Sequence, residues 1–496
     1  MDQAQRLREL FDRYVHQNLL PAEAVELVSL LERADAEDIL SEPLRGVWEE
    51  LKNRQIDRKV DWGRMFREAS EMRRESELGR ENGMRRDSIT PRESVTRGQR
   101  ATLREIWGWR AVAAFFFVLA GLAAYWSVRW QGPLERSRAA TKLAAGVVKK
   151  NGPREYFVSQ DGGDGQDGSR AHPWRSVTAV SRTALGPGDS VFLHGGQIFS
   201  GTLKIGNGGG RGGTVANPVW IGSYGGGEAT IDGADSSALV VYQAHSIIVH
   251  GLRLVGSGRK TGNIKDGLAI IDSHDIRVTD VDITGFQKSG LFIYASTAVV
   301  AERVYAHENG AAGIAVEGPY DRKTGSRDLK ILYCRADDNP GDPTNLTNHS
   351  GNGIVCGHCT NLLIDHCSAT NNGWDMPRIG NGPVGIWCYE ADSVTIEHCL
   401  AYRNKTSAGA ADGGGFDFDG GVTHSVIQYC LSYGNQGSGY CIFQYWGASP
   451  WHDNVIRWNI SEDDGLVSDS RAGMYVWNSS NDPNQFYNCK VYNNTV

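Results

Sequence analysis

What most restricts this chain is a glycine-led segment that recurs through its second half: GLAII at Gly267, GLFIY at Gly290, GIAVE at Gly313, GIVCG at Gly353, GIWCY at Gly385, GFDFD at Gly415, GYCIF at Gly439 and GMYVW at Gly473. The first two intervals are 23 residues and the later ones are longer, as in stacked β-coils whose loops are inserted at one corner. Each repeat carries a second strand with two landmarks. Val304, Cys334, Cys367, Cys399, Cys430, Asn459 and Cys489 form one column; five residues further on, Asn309, Asn339, Asn372, Asn404, Asn435, Asp464 and Asn494 form another. A side-chain amide repeated every ~4.8 Å can bond the turn backbone of its own coil and of its neighbours. Chemistry needs a residue once, so one that returns in every coil serves the fold. The pattern predicts an all-β, right-handed parallel β-helix over residues 154–496.

The rest of the chain reads differently. Residues 111–128 are apolar apart from one serine and are flanked by Trp107, Trp109, Trp126 and Trp130. At ~1.5 Å per residue such a helix crosses a hydrocarbon core of about 30 Å, with tryptophans at both interfaces. A transmembrane helix is expected over 107–130, between a charged helix or linker (61–106) and a second linker (131–153). Arginines bound both ends, but the richer run lies upstream, which places the N-terminus in the cytoplasm and the β-helix in the periplasm or outside the cell. The formal net charge is −7 and the bases concentrate before Lys150, so nucleic acid is not an expected partner of the β-helix.

In residues 1–60 apolar positions recur at helical spacing (Leu7, Leu10, Phe11, Tyr14, then Val25, Leu27, Val28, Leu31) around Pro21, predicting two amphipathic helices. The pattern LRELFDRYVHQNLLPAEAVELVSLLER resembles the cytoplasmic domain of FecR-type anti-sigma regulators. That resemblance implies a sigma factor as partner. The chain stops at Val496 just after a ladder asparagine and with no capping pattern, as a fragment of a longer protein would.

Most of the nine cysteines fall in the stacked columns, where Cys acts as a small hydrophobe. Cys356 and Cys359 have a CxxC spacing, but no second pair completes a four-ligand site. Core packing is the expectation for them too.

The opening of the domain, YFVSQDGGDGQDGSRAHPWRSVTAV followed by NPVWIGSYG and ATIDG, resembles the first coils of right-handed parallel β-helix proteins of the pectate-lyase-like superfamily, in particular the group containing the family 9 polysaccharide lyases. The likeness extends over roughly Glu155 to Val496. It implies a polysaccharide substrate, calcium-binding aspartates and a lysine base.

If the residue after each glycine points inward, alternation turns Phe292/Tyr294, Ala315/Glu317, Val355/Gly357, Trp387/Tyr389, Asp417/Asp419, Cys441/Phe443 and Tyr475/Trp477 outward. Two acids then lie between aromatic walls. Sugar rings offer flat C–H faces with a rim of hydroxyls, so this strip suits a glycan groove. Glu317, Trp387, Tyr389, Phe443, Tyr475 and Trp477 are its expected binding residues, with His349 from an inserted loop.

The cluster ADGGGFDFDGG groups Asp412, Asp417 and Asp419, hard oxygen donors that suit Ca²⁺. Two mechanisms draw on it. In β-elimination the ion neutralises a uronate carboxylate while Lys405 or Arg378 removes the adjacent proton. In hydrolysis Asp417 and Asp419 act as acid and base, with α-carbons about 6.6 Å apart, which admits either stereochemical course. A third class is a non-catalytic glycan sensor or adhesin that signals through the membrane helix.

Overall fold

The structure, a computed structural model, describes residues 152–206, 212–320, 325–467, 472–480 and 482–496. Strand follows strand from Glu155, and the helix Val177–Arg182 contributes Val177 and Val180 to the first coils of the core. All ladders between the strands are parallel. One sheet has ten strands, among them Ala312–Glu317, Asn352–Gly357, Val384–Tyr389, Gly414–Phe418, Tyr440–Gln444 and Met474–Asn478, each from the next coil. The remaining coil segments build a nineteen-stranded sheet with two legs. This is a parallel β-helix.

Register lines the interior. Leu291, Ile314, Ile354, Ile386, Phe416 and Tyr440 stack from strand to strand, and so do Val316, Cys356, Cys388, Phe418 and Ile442. Both columns are buried, so the expected inward positions are inward.

The asparagine column bonds as a ladder. The backbone N–H of Asn339 donates to Asn372 Oδ1 at 3.0 Å and its Nδ2 donates to the same oxygen at 2.9 Å. Asn372 reaches Asn404 and Asn404 reaches Asn435 in the same way, and Asn435 ends on Asp464. The leading glycines are what give these amides room: a Cβ on Gly385 would lie 2.7 Å from Asn404 Nδ2, and one on Gly290 2.7 Å from Asn309 Nδ2. The cysteine column works similarly, with the N–H of Cys334 donating to Cys367 Sγ and that of Cys367 to Cys399 Sγ, each at 3.4 Å. All nine cysteines are free thiols. Cys356 and Cys359 are separate: Cys356 lines the ten-stranded sheet, whereas Cys359 begins the next strand beside Ser326.

The last coil departs from the expected columns. Val455 pairs with Lys490, and Asn494 Oδ1 accepts from Asn459 at 3.1 and 3.0 Å, so Asn494 continues the cysteine column and Cys489 sits one column earlier, over Asn454. The five-residue spacing is degenerate here. Asn454, Asn459 and Asp464 all repeat at that interval, so the Cys489–Asn494 pair matches two registers by sequence, and pairing selects the other one.

Among the described residues no helix is long and apolar enough to cross a membrane. The expected helices of 1–60, the linkers and the apolar run of 111–128 lie outside the described residues.

Asn372→Leu tests the ladder. It takes the acceptor from the buried backbone N–H of Asn339 and removes one bond each from Asn339 Nδ2 and Ala336 O, an unsatisfied buried group costing about 1–3 kcal/mol. Chemical denaturation should show a loss of about 2–4 kcal/mol on that basis, and a loss below ~0.5 kcal/mol would remove the ladder's structural role.

Candidate functional site

The outer face of the ten-stranded sheet carries the predicted strip, in the predicted register: Trp387 lies beside Val355 and Asp417, and Asp417 beside Cys441. Outward is not the same as exposed, however. Trp387 is 4% exposed, Asp417 2% and Phe443 7%, while Asp419 is half-buried, which corrects for Asp417 the expectation that the two acids stand in solvent between tryptophan and tyrosine. Phe292, Tyr294, Glu317 and Tyr389 are half-buried, and the strip is most open toward the last coil, with Tyr475 half-buried and Trp477 exposed.

Loops from the corner after each ladder asparagine cover the strip, and they stack on one another as the coils do. Gly373 N–H donates to Asn339 O at 3.0 Å, Lys405 N–H to Asn372 O at 2.8 Å and Gly413 N–H to Pro383 O at 2.9 Å. Arg259 fastens two of them, donating to Gly341 O at 2.8 Å and, with Lys260, pairing with Asp375. Ala315, Val355, Val384 and Trp387 pack beneath this wall as a second apolar cluster, joined by Phe292 and Tyr389.

Within the strip two polar networks form. Trp387 Nε1 donates to Asn352 Oδ1 at 3.0 Å, Asn352 Nδ2 lies 3.1 Å from His349 Nδ1, and the His349 ring stands edge-on to Trp387 at 4.8 Å. Burial, and then the nearby Arg378 charge, push the His349 pKa down to about 4, so this imidazole is neutral near pH 7. In the second network Tyr389 Oη donates to Glu317 Oε1 at 2.7 Å and His358 Nδ1 lies 3.5 Å from Glu317 Oε2. Gly357 makes this network possible, since a Cβ there would lie 2.3 Å from the Tyr389 ring.

Asp412, Asp417 and Asp419 come together at the strip's acidic end. Burial raises all three carboxyls: Asp412 to about 6, Asp419 to about 7, and Asp417 well above the ordinary range. Mutual repulsion adds to burial, with Asp412 and Asp419 acting on Asp417, and Asp412 and Glu390 on Asp419. Among the described residues no cation offsets these effects. Asp412 Oδ2 accepts from Gly382 N–H and Asp419 Oδ1 from Gly420 N–H, both at 2.7 Å, but Asp417 Oδ1 is buried with no hydrogen-bond partner. A buried acid left in this state is held by the fold at a cost, which is characteristic of functional carboxyls.

Lys405 and Arg378 are not gathered with the acids. Arg378 bonds Asn381 and faces His349, and the half-buried Lys405 is not among the groups that act on the three carboxyls. Asn352, His358 and Glu390 also belong to the site. Sequence reasoning missed them because their roles depend on which loop or neighbouring coil they meet.

Residues 156–459 match a family model described as "Pel9A-like, right handed beta helix region". Among solved structures, the GH136 lacto-N-biosidase of Eubacterium ramulus is 20% identical with a TM-score of 0.50, over 78% of this chain and 74% of that one. An alginate lyase from Paenibacillus sp. str. FPU-7 is 13% identical with a TM-score of 0.42, over 64% of this chain and 99% of its own. The pectate lyase Pel9A is 16% identical with a TM-score of 0.39, over 66% of this chain and 79% of its own. No curated protein matches the chain.

Asp419 gives the fold a pH dependence of known sign. Its pKa is raised from 3.8 to about 7 in the folded chain, so between those values the folded state binds more protons than the unfolded one. The stability it contributes is full below ~4 and is lost as pH rises through ~7. Thermal unfolding should therefore show a steeper fall in midpoint between about pH 5 and about pH 8 for the wild type than for Asp419→Asn. Equal slopes would refute the assignment.

Proposed function

We propose, from the premise that this chain belongs to the Pel9A-like right-handed β-helix family, that it is a polysaccharide-active enzyme whose bond-breaking centre is the Asp412, Asp417 and Asp419 cluster. The observation that carries this is a set of three mutually repelling carboxyls, Asp417 buried and Asp412 and Asp419 half-buried, on which no cation of the described residues acts and of which one buried oxygen is unpartnered. Protons on such a set are shared. Near neutral pH one carboxyl holds a proton while another is ionised, which is the division of labour that glycoside hydrolysis requires of its acid and its base or nucleophile. Trp387 and Tyr389 floor the strip beneath the loops, and Tyr475 and Trp477 extend it into solvent as a platform for sugar rings.

Calcium-assisted β-elimination has less support. Hard oxygens suit Ca²⁺, but the three aspartates are not among the groups of described residues whose ligand atoms lie within 4.8 Å of one another, and Lys405 and Arg378 do not flank them. Anchoring through residues 111–128, with the β-helix exported, belongs to the same proposal, as does a sigma factor at the N-terminal helices.

The test is a panel of neutral and uronate glycans assayed for new reducing ends and for unsaturated products, with and without EDTA. Hydrolysis gives reducing ends that EDTA leaves unchanged, and Asp417→Asn or Asp419→Asn lowers kcat by about 10²–10⁴-fold with glycan binding retained. Unsaturated products abolished by EDTA would replace hydrolysis by elimination. Binding with no cleavage of any glycan would return the chain to the sensor class.

A further inference from the structure

At the corner where the chain leaves the ten-stranded sheet, three successive coils place two columns of side chains next to each other. Asp392, Thr423 and His452 bridge in parallel. Ser393, His424 and Asp453 follow them in the left-handed backbone region, with φ of 57°, 50° and 58°. This conformation turns the second column toward the first, on the outside of the coil.

We propose that His424, His452 and Asp453 form a binding site for a divalent transition-metal ion of the Zn²⁺ class. Their ligand atoms lie within 4.8 Å of one another: His452 Nδ1 is 2.6 Å and His424 Nε2 3.8 Å from Asp453 Oδ2. The two imidazole planes are nearly perpendicular, at 87° with centroids 5.4 Å apart, so their lone pairs approach one point from different directions. Two imidazole nitrogens and one carboxylate oxygen favour Zn²⁺, Cu²⁺ or Ni²⁺ over Ca²⁺ or Mg²⁺. Three protein ligands leave a fourth position open to water.

What distinguishes this from an ordinary surface ion pair is the support behind the ligands. His424 Nδ1 lies 2.7 Å from Asp392 Oδ1, which places the ring proton on Nδ1 and presents the Nε2 lone pair to the site. Asp392 is itself held, accepting from Thr423 Oγ1 at 2.7 Å and from Ser393 Oγ at 2.9 Å. A carboxylate behind a ligating imidazole, itself hydrogen-bonded, fixes tautomer and orientation as in metal centres. Asn488 Nδ2 donates to Asp453 Oδ1, leaving Oδ2 to face the imidazoles. The ion would replace the hydrogen bond between His452 and Asp453 and would tie successive coils together.

A second triad, Asp365, His366 and His398, also meets the 4.8 Å spacing and serves as the internal control. There both imidazoles aim Nδ1 at one oxygen, Asp365 Oδ1, at 2.6 and 3.0 Å, and His398 Nε2 has no partner. It is a hydrogen-bonded cluster in which, among the described residues, no hydrogen bond orients the far nitrogens.

The experiment is equilibrium dialysis of the full chain against ZnCl₂, with Co²⁺ absorption as a readout of coordination. One ion per chain is expected; His424→Ala and His452→Ala abolish it, and Asp392→Asn weakens it by about 10–100-fold. Added Zn²⁺ raises the thermal midpoint of the wild type but not of His424→Ala. His424 is largely exposed, with 57% of its side chain accessible, so the variant keeps its fold, as circular dichroism checks. Absence of a bound ion, full retention in His424→Ala, or loss in His366→Ala would each overturn the proposal, and none of these outcomes bears on glycan cleavage.

Discussion

The fold rests on a steric exchange between two columns. Each ladder asparagine turns its amide into the interior of the coil, and it fits only because the strand of the ten-stranded sheet that precedes it in the same coil is led by a residue lacking a Cβ. Gly313, Gly353, Gly385 and Gly415 each face the Nδ2 of an asparagine at 3.1 Å or less, measured from where a Cβ would stand. The amide then bonds both the next coil's amide and the preceding coil's backbone. Neither column can change alone. A larger residue at the glycine displaces the amide, and loss of the amide strands buried backbone groups.

That coupling is why the architecture was legible in the sequence. Alternation assigned Phe416 and Phe418 inward and Asp417 outward, and pairing agrees. The period failed in the last coil, where five-residue spacing fits two registers and only the Val455–Lys490 pairing decides between them. It failed more generally at the surface. Alternation states which way Trp387 points but not what lies above it, and the cover comes from loops fastened by Arg259 to Asp375, 116 residues away. No local pattern encodes such a contact. The corner cluster of His424 and His452 was equally hidden, because its alignment depends on the lengths of the intervening loops.

The acidic end of the strip shows the fold and its chemistry in opposition. Packing removes water from Asp412, Asp417 and Asp419 and brings like charges together, so the carboxyls retain protons well above their usual range. A structural surface would relieve this with a lysine or arginine. This protein has arginines in the covering loops, yet Arg259 and Arg378 are directed to Asp375 and to Asn381. The strain is thus confined to one rung, and the uniform ladder on either side offsets it.

Most of the inserted loops leave the coil between a ladder asparagine and the next leading glycine, and a few leave at the corner after the ten-stranded sheet, as between Glu317 and Ser326 and between Gln444 and Trp451. Length is therefore free at the corners and fixed along the strands, where a single extra residue would shift every pairing beyond it. Such a scaffold separates inheritance of shape from invention of specificity: selection for a new ligand can lengthen, shorten or exchange one hairpin at a time while the cylinder beneath stays intact.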